Sequence, residues 1–178
     1  MKISEIKKDK PKEFKTKLEE KVYEVLEKLN IEYERVDTTE AITMEDCIEI
    51  DKKLNMQTVK TLFLTNRQKN NFYLFITTGN KPFNTKKFSS ELNISRVSFA
   101  NEELMIEMLN TIPGSATIFS TIIDTDNKVH VVIDKDVLKN EYYGCSDGTT
   151  TSYMKIKTSD IIEKLLPYTN HKEIIIEM

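Results

Sequence analysis

Glycine and proline are scarce in this sequence, with four of each among 178 residues. That leaves no room for a long flexible linker and points to a single domain. Cysteine is scarcer still. Cys47 and Cys145 stand far apart, too few for a disulfide framework and without the spacing of a zinc site. Reduced thiols in a cytosolic protein are the expectation. No apolar run approaches the ~20 residues of a membrane-spanning helix. Lys and Glu dominate residues 1–21, unlike a signal peptide. These absences place the chain in the cytoplasm, away from membranes. An excess of positive charge is missing too, since 26 Lys and Arg face 29 Asp and Glu for a net charge of -3. A protein that grips many phosphates is normally basic. The balance argues against a broad nucleic-acid clamp and leaves room for a contact with the end of one strand.

Catalytic signatures are equally absent. There is no Walker loop, GxGxxG, HExxH or GxSxG. The two histidines, His130 and His171, do not assemble a Ser-His-Asp triad. His130 lies in Val129-His130-Val131-Val132 at strand spacing, so it points away from the face carrying Val129 and Val131 and reads as structural or superficial. His171, in a turn before the last strand, reads as solvated.

What is present describes one α+β domain over residues 1–178, with 1–12 as an exposed lead-in. From Glu13 the apolar residues Phe14, Leu18, Val22, Val25, Leu26 and Leu29 fall on one helical face. Asn30 tolerates the left-handed conformation that ends a helix. A short strand follows over Ile31–Val36, and Thr43 with Asp46 opens a second helix, as in a capping box. Val59–Thr65 and Phe72–Thr78 form a hairpin across the polar run Asn66–Asn71. Asn84 caps a helix through Leu92, Ile94–Phe99 is a strand, and Asn101 caps a helix carrying Leu104, Ile106, Met108 and Leu109. Ala116–Ile123, Lys128–Ile133, Ser152–Lys157 and Glu173–Glu177 read as strands. Residues 142–151 read as a polar loop, and a helix runs from Thr158 to Pro167. Hairpins without a strict βαβ alternation argue for a mixed, mostly antiparallel sheet with helices around it.

Three places could carry chemistry. Lys60 interrupts an apolar strand, either as an edge lysine that snorkels to water or as a phosphate or hydroxyl contact in a cleft. Ile112-Pro113-Gly114-Ser115-Ala116 is a turn whose backbone N–H groups could bind a carbonyl or a developing oxyanion. The stretch Tyr143–Thr151 is dense in small polar groups and is either a solvated connection or a pocket wall. Its Cys145 has no histidine nearby to activate it as a nucleophile.

In order and spacing, several segments resemble the YbaK / prolyl-tRNA-synthetase-associated domain family of aminoacyl-tRNA deacylases. They are VYEVLEKLNIEYERVDT, VKTLFLT, the long run from FYLFITTGNKPFN to NTIPGSAT, DTDNKVHVVIDKDVL and TTTSYMKIKTSDIIEKLL. The likeness is strongest to the free-standing branch that clears alanine from proline tRNA. It implies a strongly curved sheet, a pseudo-barrel with surrounding helices. It also implies hydrolysis of the ester between an amino acid and the terminal adenosine, with no metal, cofactor or covalent nucleophile. The implied partner is the 3′ acceptor end of mischarged tRNA, with prolyl-tRNA synthetase left open as a second. Lys60 matches the family lysine, expected on the terminal nucleotide or a nearby phosphate. Gly114 matches the loop glycine, and with Ser115 and Ala116 it is expected to hold the oxyanion. Thr61, Tyr143, Asp147 and Phe119 are expected to line the pocket, with Asp147 on the substrate's amino group. The alanine branch often has Asn where Thr61 stands, Pro-Phe where Ile118-Phe119 stands, and His-Pro where Tyr143-Gly144 stands. A deacylase for Cys- or Ser-tRNA and a non-catalytic module that binds charged tRNA are the competing readings.

Overall fold

A computed structural model describes residues 1–178. The first helix, α1 (Lys17–Lys28), buries Leu18, Val22, Val25 and Leu26 along one stripe. It starts four residues later than the apolar spacing implies, because Thr16 caps it. The Thr16 hydroxyl accepts from the Glu19 N–H at 3.0 Å, and Glu19 Oε1 accepts from the Lys15 N–H at 2.6 Å. That is a capping box moved back by one residue. Asn30 follows the helix with φ +53°, as its residue type implies. The same solution recurs at Asn55, Asn93, Asn110 and Asn170, each left-handed after a helix. With so little glycine in the chain, Asn takes the position, since its short polar side chain tolerates that region best after Gly.

The strands form two sheets. β1 (Tyr33–Asp37), β7 (Ser152–Lys157) and β6 (Tyr142–Ser146) make one, in the order β1-β7-β6. The other contains β4 (Val97–Phe99), β2 (Val59–Asn66), β3 (Phe72–Thr78), β5 (Val129–Asp134) and β8 (Ile174–Ile176), in the order β4-β2-β3-β5-β8. β3–β5 and β5–β8 are parallel, and the remaining pairs are antiparallel. The mixed, mostly antiparallel α+β reading therefore holds. A single closed sheet does not form: one parallel bridge, Thr58 to Gly144, joins the two sheets.

Both faces of the larger sheet are covered. Phe63, Leu74, Ile76, Val131 and Ile133 join the main core with α1, while Leu64, Phe75, Val132 and Ile176 pack with Phe88 of α3 (Thr85–Leu92). That double burial explains the unbroken apolar runs of β2 and β3. A third cluster holds α2 (Cys47–Leu54) against β1 and β7 through Val36, Ile50, Leu54 and Tyr153. Thr43 and Asp46 exchange hydrogen bonds ahead of α2, at 2.9 and 3.2 Å, so the expected box forms as a turn before the regular helix.

Three expectations are corrected. Ala116–Ile123 is no strand; Thr117 caps a 3-10 helix, Ile118–Ile122, by accepting from the Phe119 N–H. Thr121 then donates to the Ile118 carbonyl, a local bond that competes with sheet pairing, and Ser120 ties the turn to the end of the preceding helix through the Leu109 carbonyl. Residues 142–146 are a buried strand rather than loop. Gly144 lets β6 approach β2, since a Cβ there would stand 2.8 Å from the Gln57 carbonyl oxygen. His171 is buried, not solvated: its Nε2 lies 2.8 Å from Asp124 Oδ2, and Nδ1 lies 2.7 Å from the Thr169 carbonyl. It ties the chain after the last helix to the turn that enters β5. His130 is exposed on the face opposite Val129 and Val131, as its spacing implies. That last helix joins α5 (Thr158–Asp160) and α6 (Leu166–Tyr168) through a π-helical turn, Ile161–Leu165. The wider turn precedes Pro167, which cannot donate to the helical ladder. Residues 1–12 are mostly exposed but tethered, with Lys7 and Arg35 exchanging backbone bonds of 2.8 Å.

Candidate active site

The outer edge of β2 is covered at both ends and bare in the middle. Asn66 N–H donates to Asn71 O, so the even-numbered residues of β2 bond to β3 and the odd-numbered ones face the opposite edge. There, Phe63 O accepts from Ala100 N–H beside β4, at 2.9 Å, and the Thr58–Gly144 bridge closes the other end. Thr61 lies between. Its N–H and C=O point outward and pair with neither neighbour strand. A cavity of about 340 Å³ opens at this gap. Its wall takes in Ile42 and Met44 before α2, Lys60 and Thr61 on β2, Phe99 ending β4, and Met105 of α4 (Glu102–Leu109). Gly114 and Ala116 of the loop after α4, and Cys145 and Ser146 of β6, close it.

Four of the eight expected site residues meet in this wall: Lys60, Thr61, Gly114 and Ala116. The other four stand behind it. Ser115 is buried, its N–H bonded to Ile112 O at 3.0 Å and its hydroxyl to the same carbonyl at 2.9 Å. The turn thus consumes the middle N–H, and the N–H groups of Gly114 and Ala116 make no internal hydrogen bond. Phe119 belongs to the main core. Tyr143 is buried behind Thr61; burial holds its phenol well above the ordinary value, and the Thr61 hydroxyl opposes that shift.

Asp147 does not reach the cavity. It is fully buried, with Oδ2 accepting from the Tyr23 hydroxyl at 2.9 Å and Oδ1 from the Thr149 hydroxyl at 2.8 Å. No other carboxylate and no imidazole lines the wall. The thiols are poor nucleophiles: burial pushes Cys47 up to about 11 and Cys145 higher still. The chemical equipment of the site is therefore one ammonium, a few hydroxyls and unpaired backbone groups.

A model of the aminoacyl-tRNA editing domain matches residues 38–164, a span that contains every residue of the cavity wall. The chain belongs to the aminoacyl-tRNA editing domain family. Prolyl-tRNA synthetase associated domain-containing protein 1 of Danio rerio is 26% identical over 161 residues, covering 89% of this chain and 86% of that protein. Prolyl-tRNA editing protein ProX of Acetoanaerobium sticklandii is 26% identical over 113 residues, 64% of this chain and 69% of its own. The fold matches the crystal structure of a candidate trans-editing enzyme for prolyl tRNA synthetase, with a TM-score of 0.66 at 15% identity, over 92% of this chain and 98% of that one. At that identity the structural match shows the fold. No helix is long and apolar enough to cross a membrane.

Behind the wall of this editing domain, Asp147 meets a second acid. Glu19 of α1 is buried beside it, and burial together with the Asp147 charge raises the Glu19 carboxyl to about 8. At neutral pH Glu19 holds its proton and donates to Asp147. A carboxyl whose folded value lies above its ordinary 4.5 takes up a proton on folding, so stability falls as pH rises from about 4.5 through about 8. Glu19→Gln keeps an acceptor for the Lys15 N–H and a donor for Asp147 and cannot ionise. Thermal melts at pH 9 should find the variant more stable than the wild type by about 1–2 kcal/mol, solvent screening allowed for. That is roughly 2–8 °C in Tm for a domain of this size, and the gap should vanish at pH 5. Parallel melting curves at both pH values would contradict the shared proton.

Beyond the expected residues, the wall includes Ile42, Met44, Phe99, Met105 and Ser146. One signal marks Ile42: it is a large apolar side chain in the polar stretch Thr38–Thr43. Nothing local marks Met105, whose place depends on how α4 packs.

Proposed function

We propose that the protein hydrolyses the ester of a mischarged aminoacyl-tRNA, with alanine on proline tRNA as its substrate. The observation that carries this is the convergence of unpaired N–H groups at Gly114 and Ala116 with Lys60 on a small cavity. At about 340 Å³ the cavity sits near the lower end of the roughly 300–1,000 Å³ typical of ligand pockets. A small aminoacyl group fits such a space with room for the ribose. In this proposal the larger proline ring is rejected by a steric clash at the aminoacyl end rather than by the total volume, and such a clash can discriminate more strongly than the roughly 1–3 kcal/mol of a missing methylene.

In the reaction, water attacks the ester carbonyl carbon, oriented by the free ribose hydroxyl of the substrate. The carbonyl oxygen becomes an oxyanion and accepts from the Gly114 and Ala116 N–H groups. Collapse breaks the bond to the ribose oxygen, which leaves with the proton that water gives up. The products are the free amino acid and tRNA. Because Asp147 is buried and engaged, the α-ammonium donates instead to the unpaired Thr61 carbonyl and the hydroxyls beside it. Lys60 holds the nucleotide end by charge. An activated ester needs positioning and oxyanion stabilisation more than a strong base, which suits a wall without carboxylate or imidazole. The name of the ProX relative, a prolyl-tRNA editing protein, supports the reading.

The test is deacylation of proline tRNA charged in turn with alanine, proline, cysteine and serine. Loss of alanine alone is expected. Preferential loss of cysteine or serine would reassign the substrate, and loss of none by folded protein would leave a module that binds charged tRNA without turnover.

A further inference from the structure

Phe99 is the most exposed large apolar side chain in the molecule, with 61% of its surface open, and it stands in the cavity wall. Its position is not that of a loose surface residue. Phe83 meets its ring edge-on, with centroids 5.6 Å apart at 61°. Phe83 is itself packed against Phe88 and Phe75, at 5.8 and 6.0 Å. The ring is thus braced from the core and open toward the cavity mouth, where half-exposed Ile42 also stands. The β2–β4 register sets Phe99 opposite Leu64, so it shares a sheet face with Leu62 and Lys60. Four residues of strand separate Leu64 from Lys60, about 13 Å, a span that one nucleotide and the two side chains can cover.

Resting on the tRNA-end reading above, we propose that Phe99 is the stacking platform for the terminal nucleobase of the charged tRNA, while Lys60 holds the backbone on the same face. Unpaired RNA ends are recognised by stacking on aromatic rings, because every base offers an apolar face once it leaves a helix. A braced ring loses little freedom on binding, and a neighbouring cation suits a polyanion better than an apolar protein surface. Stacking of this kind also aims the ester: with the base held at the mouth, the ribose and its aminoacyl group point into the gap at Thr61.

The experiment measures binding of an uncharged acceptor-stem minihelix ending in CCA, so that it does not depend on turnover. Phe99→Ala should weaken binding about 5–150-fold, and Phe99→Tyr should restore it. A minihelix with an abasic last nucleotide should bind the wild type and Phe99→Ala alike. The chain contains no tryptophan, so Phe99→Trp supplies a single reporter, and the CCA minihelix should quench it. Wild-type affinity in Phe99→Ala, or an equal loss toward the abasic minihelix, would overturn the platform while leaving deacylation by the wild type intact. A wild type that neither binds the minihelix nor deacylates any charged tRNA would remove the underlying reading along with it.

Discussion

Replacing Gly114 by alanine should lower kcat for deacylation about 100-fold with little change in KM and a protein that still folds. Gly114 has φ +93°, a region that L side chains avoid, and a Cβ there would stand 2.6 Å from Cγ2 of Ile42. Forcing alanine into left-handed backbone costs roughly 1–2 kcal/mol. The clash itself is cheaper, because Ile42 is half-exposed and its side chain can turn away. Stability therefore drops by a few degrees in Tm rather than collapsing. The chain can also relieve the strain by rotating the Gly114 peptide, and that is where activity is lost. Ser115 N–H is committed to Ile112 O within the turn, so only the Gly114 and Ala116 N–H groups are free to meet an oxyanion. A shift of a fraction of an ångström removes donors that matter mainly in the transition state, so the loss falls on kcat. Single-turnover deacylation, run beside a thermal melt, separates the two effects. A variant within threefold of the wild-type rate would mean that the loop does not hold the oxyanion.

Legibility followed the range of the interactions. The stripe of α1, the β2–β3 hairpin and the Asn30 terminus were readable because each is decided within a few residues of chain. Ala116–Ile123 misled because a run of β-branched and aromatic residues looks the same in a strand and in a buried 3-10 turn. The choice was made by hydroxyls: Thr117 caps, and Ser120 reaches the Leu109 carbonyl. β6 misled in the other direction. Its glycine and serine suggest a solvated loop, yet Gly144 is small because the Gln57 backbone crowds in, and the Ser146 hydroxyl is buried against the Ser115 carbonyl. His171 and Asp147 were misread for a third reason. Each also has a partner two residues away, but the contacts that bury them are distant: Asp124 lies 47 residues from His171 and Tyr23 lies 124 from Asp147, distances at which sequence pattern carries no pairing information.

Within the site, the residues that were legible are those that break a pattern. Lys60 interrupts an apolar strand and Pro113-Gly114 forms a turn in the loop after α4, and the fold brings both to one cavity. Thr61 was named only through the family resemblance, as the residue after the lysine, whereas the structure gives it an added asset in a backbone edge that no strand covers. That edge is visible only once β4 and β6 are seen to stop short of it. Phe99 went unnoticed because it closes a strand in regular alternation, and only its exposure sets it apart.

Lys60→Ala should reduce kcat/KM about 10–150-fold, the value of a hydrogen bond to a charged group at roughly 1.5–3 kcal/mol, and most of the loss should appear in KM. In the free protein the Lys60 ammonium already donates to the Lys81 carbonyl. The side chain of Lys81 is in turn anchored on Asp134 and Asp136, at 2.8 and 2.6 Å. Asp134 is buried and also accepts from Thr77 at 2.6 Å. This chain of contacts holds a cation at the cavity mouth before substrate arrives, so binding costs little side-chain entropy. Partial burial lowers the pKa of the ammonium, a cost that an anionic partner recovers on binding. Stability should change by less than about 1 kcal/mol, since the side chain lies at an open strand end and the β2–β3 pairing does not use it. Salt supplies a second readout. If Lys60 meets a phosphate, KM of the wild type rises with ionic strength, and the variant loses about one unit of that log–log slope. Arginine at the same position should restore only part of the affinity, because its planar fork does not match the single carbonyl that positions the lysine. Wild-type kcat/KM in the alanine variant would leave Lys60 as a snorkelling edge residue. An unchanged salt slope beside a large loss would instead move its contact from the phosphate to an uncharged ribose hydroxyl.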